Sequence, residues 1–242
     1  MKPFFGRIPA TAVRRNFGRR GYSLVELLAV LGIIAIVSSL IFMSIGGLTG
    51  SRNLNKAAYD VQGVLEQART MAMASDTYTW VGFFEESPGS PGVAGVGQVV
   101  ISIVTSADGT NVYSSLSGAT QLPGTRLVQA AKLMKIPNVH LASLSAAAVT
   151  RPSVPAATYE VASSSFANGY TFTYPLTGTT YTFSNIIQFS PQGDATRIAG
   201  TPTQIMEIGL QPSHGSTAAT SSKDVAAIQI AGIGGHVTTY FP

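Results

Sequence analysis

Side chains able to carry catalysis or hold a metal are few in this sequence. It has no cysteine, which removes disulfides, thiol nucleophiles and Cys-based zinc or iron–sulfur sites. Its three histidines, His140, His214 and His236, stand in no H-E-x-x-H or H-x-x-H arrangement. His140 follows an apolar stretch and reads as structural; His214 lies in a polar loop and His236 in a Gly-rich turn. No G-x-S-x-G elbow surrounds any serine, although a triad assembles in space and spacing leaves it open. The glycines of 89–97 read G-x-x-G-x-x-G-x-G without the strand-to-helix context that phosphate binding needs. Asp108 in "SADGTN" and Asp194 in "PQGDAT" lack the neighbouring acids a calcium site requires. Tyr170, Phe172 and Tyr174 alternate with threonines, as cross-strand packing would have them. The expectation is no catalytic residue, no cofactor, no metal and no enzyme.

One carboxylate is placed where chemistry is called for. In "RRNFGRRGYSLVELLAVLGIIAIVSSLIFM" (14–43), Glu26 sits at the edge of a long apolar run. From Leu27 to Ser51 there are 25 uncharged residues, and about 20 helical residues cross a ~30 Å hydrocarbon core. The run is apolar on every side, which suits a membrane span better than a surface helix. A carboxylate at the centre of such a helix costs about 2.5–3.5 kcal/mol, and less near the interface. It therefore implies a partner.

The elements that position Glu26 begin with charge. The formal net charge of +4 is concentrated at the start, where Lys2, Arg7, Arg14, Arg15, Arg19 and Arg20 precede any acid. The remainder holds nine basic residues against eleven acidic ones, a net of −2. Without a basic surplus the body is not expected to bind nucleic acid. The arginines instead predict that the N-terminal side of the span stays cytoplasmic. A cleaved secretory signal has a shorter apolar core and a small-residue cleavage site. "RRNF" (14–17) has the look of a twin-arginine signal but lacks that site too. A plain anchor accounts for everything except Glu26.

"GYSLVE", Gly21 to Glu26, resembles the processing site of type IV prepilins and type II secretion pseudopilins. The resemblance implies cleavage after Gly21 by a membrane prepilin peptidase and methylation of the new Tyr22 nitrogen. It implies that Glu26 neutralises the amine of a neighbouring subunit in the filament, so that two costly lone charges become a pair. The basic leader, the glycine, "SLVE", the apolar run and the N-terminal position coincide. The sequence departs from the family in having Tyr22 where phenylalanine is commoner, a 21-residue leader, and no proline in the apolar helix. Gly46, Gly47 and Gly50 are weak helix formers that would loosen it. "EQARTMAM" (66–73) resembles the helix end of H-type minor pseudopilins and fimbrial T-like minor pilins. "FSPQGDATRI", "MEIGLQP" and "IQIAGIGGHVTTY" resemble their terminal strands, in particular those of Verru_Chthon cassette protein D.

Beyond Ser51 the periodicity changes. Leu54, Ala58, Val61, Leu65, Ala68 and Ala72 form one apolar stripe, and Lys56 and Asp60 are spaced for an i,i+4 contact. One helix is predicted from about Tyr22 to Ala74. From Thr77 the chain is β-like, in "TYTWVGFF", "GQVVISIVT", "YTFSNIIQFS", "IMEIGL", "AAIQIAGI" and "HVTTYF". Asp108-Gly109 signals a hairpin. Residues 127–144 are ambiguous between helix and strand, with Pro137 arguing for a break. Residues 86–97 and 211–224 read as exposed loops. The predicted fold is α+β and pilin-like: a leader at 1–21, a transmembrane and assembly helix half at 22–51, an amphipathic half at 52–76, and an antiparallel β-rich domain at 77–242.

The function expected is that of a structural minor pilin or pseudopilin in the inner membrane, N-terminus cytoplasmic and C-terminal domain periplasmic, later in a filament. Its partners would be the peptidase, other pilin subunits, the inner-membrane assembly platform and membrane lipid. The alternatives are a minor pilin acting as an adhesin or as a substrate- or DNA-binding module, and a membrane-anchored exported enzyme. Exposed aromatic loops would favour the former, and a cleft with converging polar groups the latter.

Overall fold

A computed structural model describes residues 22–115, 126–144, 149–152, 158–166, 169–175, 178–198, 201–202, 205–220 and 223–241, with the backbone alone over 39–52 and at Thr158. By its contacts the chain divides into two units, Met1–Ile45 and Gly46–Pro242. Helix α1 spans Leu24–Ala74, in agreement with the predicted helix. In the first unit its described side chains are exposed up to Val37. Among the described residues no helix is long and apolar enough to cross a membrane. The run of described apolar side chains stops at Ser38, short of the about 20 residues a span needs. The rest of the expected span lies outside the described side chains.

In the second unit the α1 stripe is buried as the spacing predicts: Leu54, Ala58, Val61, Leu65, Ala68 and Ala72 are at most 2% exposed. Ala57 and Val64 join them. Lys56 and Asp60 pair at 2.9 Å.

Among the described residues fourteen strands follow. The first sheet is built from β1 (Thr79–Glu86), β2 (Gln98–Ser106), β3 (Leu127–Gln129), β4 (Met134–Pro137), β9 (Asn185–Phe189) and β10 (Ala195–Arg197). The second comprises β5 (Val139–Ala142), β6 (Thr158–Glu160), β11 (Ile205–His214), β12 (Thr217–Ala218), β13 (Ala226–Ala231) and β14 (Val237–Tyr240). A small third sheet pairs β7 (Phe172–Tyr174) with β8 (Tyr181–Phe183). All pairings are antiparallel except β6 with β11. The order in the first sheet is β10-β9-β1-β2-β3, with β4 also on β2. In the second, β11 lies between β12 and β13, with β14 beyond β13 and both β5 and β6 on β11.

Strand alternation explains the layers. Val81 and Phe83 of β1 and Val99, Ile101 and Ile103 of β2 share one core with the α1 stripe. Met206, Ile208 and Leu210 of β11 and Ile228 and Ile230 of β13 complete that core from the second sheet. The opposite face of the first sheet carries Trp80, Val100, Val104 and Ile186, which pack with Phe172, Tyr181 and Phe183 of the small sheet. Both faces of β1 and β2 are thus covered, so these strands read as continuous apolar runs. Tyr170, Phe172 and Tyr174 belong to this second core, Phe172 stacking on Phe183 with ring centroids 4.9 Å apart.

Several local expectations need correction. Of 211–224, read as loop, residues 211–214 continue β11, because β5 supplies partners for Gln211 and Pro212 in His140 and Val139, and β12, itself within that stretch, pairs with Ser213 and His214. Residues 127–144 contain three short strands. The chain leaves the first sheet at Pro137 and enters the second at Val139, turning through Asn138 at φ 61°, a left-handed conformation that asparagine tolerates. Asp108-Gly109 forms a turn with Gly109 at φ 77°, yet the next strand on β2 is β3, about twenty residues on by number, so it closes no two-residue hairpin. "YTFSNIIQFS" splits into β8 and β9, which join different sheets.

Candidate functional site

At the head of α1, Ser23 stands just outside the helix and Glu26 in its first turn. The Glu26 N–H donates to Ser23 Oγ at 3.2 Å, and the Ser23 N–H donates to Glu26 Oε2 at 2.9 Å. The Leu27 N–H reaches Ser23 O at 3.1 Å, the first bond of the helical ladder. Two amides that a helix start leaves without intrahelical acceptors are thereby satisfied. The carboxylate also lies at the positive end of the helix dipole. Sequence reasoning paired Glu26 only with a neighbouring chain and missed this contact within it. The signal was present, since S-x-x-E ahead of an apolar run is the capping-box pattern. Tyr22 is exposed, as are Leu24 and Val25. Gly21, the expected cleavage residue, lies outside the described residues.

The other polar clusters are engaged within the β domain. Glu86 is completely buried. Its Oε1 accepts from the Gly92 N–H at 2.7 Å and the Tyr181 hydroxyl at 2.9 Å. Its Oε2 accepts from Lys135 Nζ at 2.8 Å and from the Gln98 amide. Burial pushes this carboxyl up, but the bonds from Lys135, Gly92 and Tyr181 outweigh it and hold the pKa below the ordinary 4.5. The Gly-rich loop is thus tied to β1 by a carboxylate. The adjacent Glu85 goes the other way, raised by burial against the opposing effects of the Leu141 N–H and nearby His140. His140 lies 3.6 Å from Glu85 and 3.1 Å from Gln211 Oε1, a structural role, while His214 and His236 are exposed.

A cleft of about 210 Å³ is lined by Tyr159, Glu160, Ser163, Ser165 and Glu207. Its carboxylates are already occupied. Glu207 takes Arg151 at 2.7 and 3.3 Å and Gln229 at 2.8 Å. Glu160 takes Ser143 Oγ at 2.8 Å and the Leu144 N–H at 3.3 Å. Ser163 and Ser165 bond each other at 2.9 Å. No described histidine or lysine lines this cleft to activate either hydroxyl. Asp108 accepts from Ser106 Oγ and from the Thr110 hydroxyl and N–H. The bonds from Thr110 and Ser106 lower its pKa to about 2, as a turn carboxylate would be. Asp194 accepts the Gly234 N–H at 2.7 Å. Among the described residues no group of three or more His, Asp or Glu is arranged to hold a metal.

Comparison with known families places the distinctive feature at the N-terminus. Residues 16–42 match the family described as the prokaryotic N-terminal methylation motif. The match contains Gly21, Tyr22 and Glu26 and ends before the β domain. Neither curated proteins nor solved structures gave a match to the chain. The motif supports a type IV pilin- or pseudopilin-like reading; nothing in the comparisons selects the H-type or Verru_Chthon cassette group.

Proposed function

We propose that this pilin-like chain is a structural subunit, of the minor kind, of a type IV pilus or type II secretion pseudopilus. The observation that carries the reading is the methylation motif at residues 16–42, coincident with a helix that starts at Leu24 and holds Glu26 in its first turn. Its work is assembly without turnover. The precursor enters the inner membrane with the basic leader cytoplasmic and the β domain periplasmic. Prepilin peptidase cuts after Gly21, and the Tyr22 nitrogen is methylated. The apolar helix then packs among other pilin subunits at the assembly platform. The occupied carboxylates of the cleft and the burial of the aromatic cluster support a structural β domain over a catalytic or adhesive one.

The charge argument gives Glu26 its part. Cleavage creates an ammonium at Tyr22, and an unpaired charge left in an apolar packing costs several kcal/mol. A neighbour's Glu26 offsets that cost. Glu26→Gln should therefore be inserted and cut, then accumulate as mature protein in the membrane instead of in sheared filaments. Filament incorporation equal to wild type would defeat the pairing. Wild-type protein should begin at a methylated Tyr22, and a bulky residue at position 21 should leave it uncut. A mature start beyond residue 40 would overturn the whole assignment.

A further inference from the structure

Strand β14 ends the second sheet and pairs only with β13. The Ala231 N–H donates to His236 O at 2.9 Å, and the ladder continues through Gln229↔Thr238 and Ala227↔Tyr240. Hydrogen-bonded pairs alternate along an antiparallel ladder, so the N–H and C=O of Val237 and Thr239 point away from β13. Among the described residues no backbone group takes them. The other edges of the two large sheets are blunted in the usual ways. The β3–β4 edge carries Lys132, Lys135 and Pro137. Short β10 carries Arg197 and gives its Ala195 N–H to Gly232 O at 2.7 Å. Strand β5 gives its Leu141 N–H to Glu85 at 3.0 Å, β6 carries Glu160, and β12 is two residues long. Val237–Phe241 has no charge and no proline.

Helix α1 supplies a ledge beside this open edge. Gln62 Oε1 accepts from the Thr239 hydroxyl at 2.9 Å, and the Tyr59 ring stands 5.3 Å from that of Phe241. This part of α1 therefore runs alongside β14. Tyr59 is 60% exposed. Gly63, one turn further on the same helix face, is exposed, with nothing within 4 Å of where a Cβ would stand. Glycine weakens a helix interior, and no packing among the described residues requires one here. It leaves room for a chain arriving from outside.

We propose that the free edge of β14, with Tyr59 and Gly63 beside it, takes an extended strand of a partner polypeptide. Alternate unpaired N–H and C=O groups are matched by another extended backbone. The partner segment is uncharged, because the edge, Tyr59 and Gly63 offer no charge to pair with one that is desolvated there. A second copy of this chain is the competing occupant. Two β14 strands would pair about a twofold axis normal to the sheet, which reverses every direction in the sheet plane. The Leu54 ends of the two packed helices would then face opposite ways, whereas the topology proposed above has every chain leave one membrane face by that end. The choice against a second copy rests on that reading.

The test uses the full chain in detergent micelles and a fluorescein-labelled peptide with the sequence of Val225–Ala231, which contains the strand that β14 already accepts. Fluorescence anisotropy should show saturable binding. The same peptide N-methylated at every peptide nitrogen should bind about tenfold more weakly or worse, having lost its donors. Gly63→Leu should weaken binding of the unmethylated peptide by about tenfold while the thermal unfolding midpoint is unchanged or raised, since leucine is the better helix former. Thr239→Pro, which removes an N–H that β13 does not use, should weaken it likewise, and Thr239→Val should bind as wild type. Absence of saturable binding would overturn the proposal. Equal affinity for the two peptides would reduce the effect to apolar adhesion, and a Gly63→Leu that binds as wild type would place the peptide elsewhere; either overturns it. Sedimentation showing chain dimers that Gly63→Leu abolishes would make a second copy the occupant and would also overturn it. A mature start elsewhere than Tyr22 would bring down the processing reading and leave these binding results to stand by themselves.

Discussion

Replacing Glu86 with alanine removes the acceptor for four donors at once, and the structure sets what that should cost. The Gly92 N–H and the Tyr181 hydroxyl lose their acceptor where water is largely excluded. Each buried polar group left unsatisfied costs about 1–3 kcal/mol, so a loss of about 2–6 kcal/mol is expected. Lys135 is 39% exposed at its side chain and can turn to water. Lys135→Met leaves the carboxylate with three donors and should cost about 1 kcal/mol. The assay is urea denaturation of the body from Arg52 onward, followed by circular dichroism. The sign with pH follows from the lowered carboxyl. Its contribution is complete above the ordinary value of 4.5 and is lost as the pH falls through the lower folded value. Glu86→Ala should therefore flatten the acid limb of the stability curve, and its deficit relative to wild type should shrink at low pH. A larger loss for Lys135→Met than for Glu86→Ala would refute the reasoning, because charge attraction and not buried hydrogen bonding would then dominate.

Gly82→Ala should destabilise the body by about 1–3 kcal/mol, since its Cβ would stand 2.6 Å from Phe172 Cζ and from Phe183 Cβ. The urea midpoint measures the loss, and an unchanged midpoint would mean that the small sheet is not held against β1. Asn138→Ala should cost about 1 kcal/mol while Asn138→Gly stays neutral or gains, because the corner needs a positive φ; thermal unfolding of both variants reads this. A carbon-detected titration of Asp108 should show a midpoint of about 2 in place of the usual 3.8. Thr110→Val should move it back toward the ordinary value, as it removes the first of the hydroxyl donors.

What the sequence by itself determined is what depends on neighbours along the chain. A helix repeats every 3.6 residues, so the stripe from Leu54 to Ala72 announced both the helix and its buried face. The basic leader, the apolar run and "GYSLVE" are contiguous, and the methylation motif was legible for that reason. The same locality placed S-x-x-E at the helix start, where the cap is found. The tertiary structure decided what depends on pairing across large separations. Gln211 and Pro212 look like loop alone and become strand because β5, some seventy residues earlier by number, lies alongside them. "YTFSNIIQFS" is one apolar run in sequence, yet its halves pair in different sheets. Glu85 and Glu86 are neighbours on one strand with opposite fates. Alternation sends their side chains to different faces, where one meets mainly burial and the other a lysine, a tyrosine and two amides. No local pattern encodes such partners, because each is supplied by a segment whose arrival is set by the fold as a whole.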